Sequence, residues 1–249
     1  MRSCKKELSV EAVGAIVVTA AVALILVAAL LVPTLFRMGA RSRLQKLSNH
    51  DSGATCDEVV ATIQAGNPGY EIIIVFDKNG EKLIEYTEFE EHAVGLPDEA
   101  LRLLRSFEGL THVHNHPETD TGHSDNDLFM PLKVGLERSI ESLVVIGTKR
   151  VFRMDCAGRD WPDWRQIAGY FQNLMNNYDE TKDPIWMETI VVDGQEAGYF
   201  TDAFLTRFAS DFGYNLEITD PSVSQSKSPL YGAVLTSVDL GGVGWLGAA

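Results

Sequence analysis

At 249 residues, 45% of them hydrophobic and 22% charged, the chain has room for one soluble domain of ordinary size plus additional segments. Residues 1–46 carry seven basic and two acidic side chains, a net of +5, so the formal charge of −14 on the whole chain leaves −19 on residues 47–249. So acidic a region repels phosphate backbones and argues against a nucleic-acid partner; it fits a soluble acidic surface, held off an anionic membrane or facing a basic partner.

Residues 1–11 form a short N-terminal segment. Residues 12–36, Ala12 to Phe36, hold no charged side chain and are rich in Ala, Val, Leu and Ile. A helix of that length spans a hydrocarbon core, which takes about 20 residues. A cleaved signal peptide would show a shorter apolar region and a small-residue cleavage site. The expectation is therefore a single-pass transmembrane helix, with Pro33 tolerated near its end. Four basic residues follow the span (Arg37, Arg41, Arg43, Lys46) and three precede it (Arg2, Lys5, Lys6). That difference leans toward a cytoplasmic C-terminal region. The three cysteines, Cys4, Cys56 and Cys156, have neither disulfide-framework nor zinc-ligand spacing.

Residues 37–55, polar from 41 onward, read as a linker. Val59, Val60 and Ile63 predict a helix over 57–65, stopped by Asn67-Pro68-Gly69. Glu71 to Phe76 is a β-branched run and predicts a buried strand. Asn79-Gly80 predicts a hairpin turn to a second strand over 81–88. Pro97 and Asp98 open a helix running to Phe107. Leu110 to His116 is the next strand. A helix is expected over 125–141, interrupted or begun late at Pro131, then a hairpin of 142–146 and 151–154.

Beyond residue 159 the periodicity predicts a helix over 161–178. Its stripe of Trp164, Ile167, Tyr170, Phe171 and Leu174 is a packing surface. A hairpin is expected from 188–194 and 197–200, a helix over 202–212 and a short strand over 215–219. A loosely held Ser-, Gly- and Pro-containing tail closes the chain. Residues 56–158 are thus expected as one α/β (α+β) domain and 159–249 as an α+β extension.

Chemistry concentrates in one stretch. Four of the six histidines lie between His112 and His123. Residues i and i+2 of a strand share a face, so His114 and His116 can offer two imidazoles to one metal ion. Pro117 ends the strand at that point. Ser124 falls where a helix N-cap would be, with Asp127 one turn in. That carboxylate can complete a His-His-Asp set and leave a fourth zinc position for water. Ser124-x-x-Asp127 is also a plain capping box, which needs no metal.

The joint pattern H-x-H-P, six residues, S-x-x-D, matched here at every position, resembles the motif of the JAMM (MPN+, or JAB) metalloprotease superfamily. The wording His114-Asn115-His116-Pro117 resembles its RadC-like branch. The resemblance covers about residues 57–154, and the order of elements there also resembles the JAMM core. It implies a mixed sheet packed between helices, with Zn2+ on His114, His116 and Asp127. It further implies a water activated on that metal, cleaving a peptide or an isopeptide bond to a ubiquitin-like protein.

The resemblance implies two further roles. A Glu at the head of the strand before the hairpin acts as general base; Glu71 stands there, with Glu85 and Glu88 the next candidates. Ser124 helps hold the oxyanion, a role compatible with capping the helix. His112 shares the ligand face and either orients a ligand or fills the strand. Asn115 points to the other face and bonds backbone. The expectation is a membrane-anchored zinc metallohydrolase; the alternative is a non-catalytic interaction module of the same fold. A RadC-like role in DNA metabolism is disfavoured by the charge and the apolar span.

Overall fold

A computed structural model of the chain describes residues 10–51, 53, 55–66, 68–89, 94–117, 119–179, 185–192 and 195–220. Cys4 and the expected tail lie outside the described residues. Helix α1 runs from Val10 to Leu47 and is long and apolar enough to cross a membrane. Its side chains from Ile25 to Met38 are exposed on all sides, Leu30 by 72%.

The helix does not stop where a linker was expected. Ala40 and Leu44, one turn apart, are buried in the main core. Arg41 pairs with Asp77 and Glu81, Arg43 pairs with Glu99, and Arg37 Nε donates to the Ser106 carbonyl at 3.1 Å. Polar composition hid a docked helix end, because only two apolar residues on one face, Ala40 and Leu44, enter the core while the charged residues between them pair with the domain.

Helix α2 spans Cys56–Gly66. Strands β1 (Ile73–Phe76) and β2 (Lys82–Tyr86) form the first hairpin. Its turn is fixed by Asp77 Oδ1, which accepts from the Asn79 and Glu81 amides at 2.9 and 3.0 Å. Gly80 there takes φ +75°, which favours glycine. Helix α3 is Asp98–Leu104, one turn shorter than expected, and strand β3 is Leu110–Asn115.

Helix α4 is Asp125–Lys133. It ends well before residue 141 because Pro131 donates no amide hydrogen bond and Gly135 turns left-handed at φ +68°. Strands β4 (Ile140–Ile146) and β5 (Val151–Asp155) follow. Next come α5 (Trp164–Asn177), β6 (Met187–Val192), β7 (Gln195–Phe200), α6 (Asp202–Phe212) and β8 (Asn215–Thr219).

Six strands form one mixed sheet in the order β2-β1-β3-β4-β5-β8, parallel only between β3 and β4. Helix α2 covers one face through Val59 and Ile63, packed on Ile72, Ile74, Phe76, Val113 and Val144. The other face packs against α1, α3, α4, α5 and α6, with Ile73, Val75, Val145, Phe152 and Met154 inside. The fold is therefore a mixed α/β arrangement, its sheet held between helices. Strand β8 pairs along β5, so the region after residue 159 is stitched to the same sheet. In α5, Ile167 and Leu174 are buried as a packing stripe requires, while Trp164 is 51% exposed and stacks on Phe129.

Candidate metal centre

The site lies where β3 leaves the sheet. Pairing of β1 with β3 ends at Ile73 opposite His114. The chain then turns toward its parallel neighbour, with the His116 amide donating to the Ile146 carbonyl at 2.8 Å. Carboxyl ends of parallel strands are where α/β sheets open a crevice. Alternation along β3 places His112, His114 and His116 on the face packed by the larger helix group. Helix α4 begins just beyond, and its first turn delivers Asp127.

His114 Nε2 lies 3.2 Å from His116 Nε2 and 2.9 Å from Asp127 Oδ1. His116 Nε2 lies 3.7 Å from Asp127 Oδ2. A tetrahedral zinc with ligand bonds of about 2.0–2.2 Å has ligand–ligand edges of roughly 3.3–3.6 Å. The three separations, two of them to different Asp127 oxygens, lie around that range, and all three ligand atoms lie within 4.8 Å of one another, so these residues could hold a metal ion. The side chains of His114, His116 and Asp127 are only 8%, 7% and 15% exposed.

Electrostatics follow from that enclosure. Burial pushes His116 down to about 4, against the attraction of Asp127, so it is a neutral imidazole suited to ligation. His114 is also opposed by burial, but the Asp127 charge and hydrogen bond, helped by Glu71, raise it above its ordinary value. Asp127 is held well below the usual carboxylate range; burial works against ionisation, and His114 and His116 overcome it.

The ligands are oriented from outside. His116 Nδ1 lies 3.2 Å from Thr121 Oγ1, which in turn meets Thr119 Oγ1 at 2.8 Å. Ser124 caps α4: its amide and its hydroxyl both donate to Asp127 Oδ2, at 2.6 and 2.8 Å, and its Oγ accepts from the Asp127 amide at 3.3 Å. The hydroxyl has one proton and here it lies on Asp127, so Ser124 orients a ligand.

Glu71 stands just ahead of β1, half-buried, and its charge acts on both His114 and the Tyr199 phenol. Glu85 does not share this position. It pairs with Ile74, which pairs with Val113, and directly opposed residues share a face. Glu85 thus points toward α2, where His50 Nδ1 and Lys82 Nζ each meet it at 2.7 Å. Glu88 is exposed beyond the end of β2.

Two fully buried imidazoles sit around the centre. Burial pushes His112 and His123 to about 3. Neither nitrogen of His123 has a hydrogen-bond partner among the described residues, and His112 Nδ1 and His114 Nδ1 likewise lack one. Cys56 and Cys156 take no part; burial raises both thiols, Cys156 to about 12.

Sequence reasoning missed three contributors. Asp120 anchors the loop after Pro117: Oδ1 accepts from the Lys149 and Arg150 amides at 2.9 and 2.7 Å, and Oδ2 from Arg150 Nε at 2.8 Å. Gly122 lets the same loop pack closely, since a Cβ there would meet Leu205 Cδ1 and Phe152 Cδ1 at 2.8 Å. Tyr199, on β7, packs its ring edge-on to His116 with centroids 5.4 Å apart, and its backbone bridges to Ser124. Tyr199 lies 75 residues after Ser124, and nothing in the local pattern announces it; for Asp120 and Gly122 the available signal is the turn-forming composition of residues 119–122.

No family model matches the chain, and neither does any curated protein or solved structure.

Proposed function

We propose that the chain is a membrane-anchored, zinc-dependent metallohydrolase of JAMM type that cleaves a peptide or isopeptide amide bond. The observation that carries this is the convergence of the largely buried His114, His116 and Asp127, their ligand atoms within 4.8 Å of one another. Zinc held there supplies Lewis acidity, which makes water a nucleophile at neutral pH and polarises a carbonyl. Glu71, just ahead of β1 and near enough for its charge to act on His114, takes the proton from the attacking water and returns it to the leaving amine. Ser124 holds Asp127 in its ligand orientation; turning its hydroxyl toward the substrate oxygen would add one oxyanion hydrogen bond. Helix α1 anchors the domain with the site on the cytoplasmic side, and the substrate is a protein or peptide, ubiquitin-like proteins included.

A second reading, a non-catalytic module at the membrane, draws on the closeness of the site: Tyr199 covers His116 and the Ser124 proton is engaged. Metal analysis of the full chain in detergent, followed by a screen of peptide and isopeptide substrates, separates the two. One zinc per chain with turnover supports the hydrolase. One zinc without turnover on any substrate supports the module.

A further inference from the structure

We propose that Asn115 is a positioning residue that sets Glu71 relative to the metal ligands. Its side chain lies on the face opposite His114 and His116 and is only 1% exposed. Asn115 Nδ2 donates to the Tyr70 carbonyl at 3.0 Å, and Asn115 Oδ1 accepts from the Ile72 amide at 2.7 Å. These two bonds grip the backbone on either side of Glu71. A third comes from Thr87, whose Oγ1 donates to the Glu71 carbonyl at 2.7 Å.

The grip replaces a missing rung of the sheet. The ladder between β1 and β3 stops at Ile73 opposite His114, because β3 turns toward β4 to deliver His116. The chain before Ile73 would otherwise lose its register there. The Asn115 amide continues the pairing in side-chain form, since it carries one acceptor and a donor group in the geometry of a peptide. Because Asn115 lies between the two histidine ligands in sequence, the position of Glu71 is tied directly to the segment that holds the metal. Buried hydrogen-bonding partners of this kind change metal-site function by roughly 10–100-fold when removed.

This inference rests on the reading of Glu71 as the base. The test uses the full chain in detergent, loaded with Co2+ alone, and compares visible spectra at fixed pH for wild type, Glu71→Gln, Asn115→Ala and Asn115→Asp. The expected result is one Co2+ per chain in all four. The Glu71→Gln spectrum departs from wild type, Asn115→Ala moves toward Glu71→Gln, and Asn115→Asp, which keeps the acceptor for the Ile72 amide, stays nearer wild type. On a cleaved substrate, Asn115→Ala then lowers kcat by roughly 10–100-fold with KM little changed. A wild-type spectrum for Asn115→Ala beside an altered one for Glu71→Gln overturns the inference and leaves the base assignment standing. An unaltered spectrum and full turnover for Glu71→Gln overturn the base assignment, and the inference with it. Failure of both Asn115 variants to bind Co2+ assigns Asn115 to the fold alone and also overturns it.

Discussion

The two faces of the central sheet bury the same kinds of side chain under opposite conditions. On the α2 face, Glu85 is fully buried but complete: Lys82 and His50 serve its two oxygens, His50 Nε2 reaches Tyr70 Oη at 3.1 Å, and Lys82 also donates to the Gly53 carbonyl. On the other face, imidazoles crowd around Asp127, and four of their nitrogens lack a partner among the described residues. Buried polar groups are ordinarily satisfied, and a structural cluster closes on itself as the Glu85 cluster does. Apart from those nitrogens, the atoms that converge on this face, His114 Nε2, His116 Nε2 and an Asp127 carboxylate oxygen, could hold a metal ion supplied from outside.

The largest effect that would break this comparison is loss of the metal. Asp127→Ala or His116→Ala should lower zinc affinity by more than the roughly 10–100-fold typical of outer partners, read by competition with a chromogenic chelator. Next in size, Glu71→Gln should keep one zinc and lower kcat by roughly 10²–10⁴-fold; full activity there would direct attention to another acid.

The Glu85 face should respond in stability alone. Glu85→Ala strands buried partners and should cost about 1–3 kcal/mol in chemical denaturation with zinc content unchanged.

Acid should separate the faces further. The folded-state values of His112 and His123, near 3, lie below the ordinary 6.5, so the unfolded chain binds more protons between those limits. Their contribution to the stability of the metal-free chain is therefore complete above pH 6.5 and falls as pH drops toward 3, on the order of 1.4 kcal/mol per pH unit for each proton. His114, whose folded value is raised, works in the opposite sense: its contribution is present below pH 6.5 and is lost as pH rises through the folded value. Replacing both His112 and His123 with Leu should flatten the acid slope, measured as denaturation midpoint against pH. The smallest effect is the cap, where Ser124→Ala should cost about 0.5–2 kcal/mol.

Much of the ligand side was legible in the sequence because its geometry is local. His114, His116 and Pro117 are placed by strand alternation and strand termination, and Ser124 and Asp127 by the first turn of a helix. Asn115 was assigned to the opposite face and to backbone bonding for the same reason, and it is found there. The elements after residue 159 were also readable one by one, since α6 spans the expected residues and β8 lies where predicted. Their assembly was not readable. That β8 joins β5, and that Tyr199 covers His116, depends on contacts between residues far apart in sequence, which periodicity does not encode. Choosing among the upstream acids likewise required the β1–β2 register, which alone shows that Glu85 faces away. The docked end of α1 was obscured because Ala40 and Leu44 sit among charged residues whose own partners lie on the domain.

The central claim is tested most directly by zinc content in the full chain, purified in detergent without chelators, beside His116→Ala. The full chain matters because Ala40 and Leu44 belong to the core. The account predicts close to one zinc per chain, lost in the variant. A chain that holds no zinc even after the metal is added back, or a His116→Ala variant that keeps it, would contradict the account.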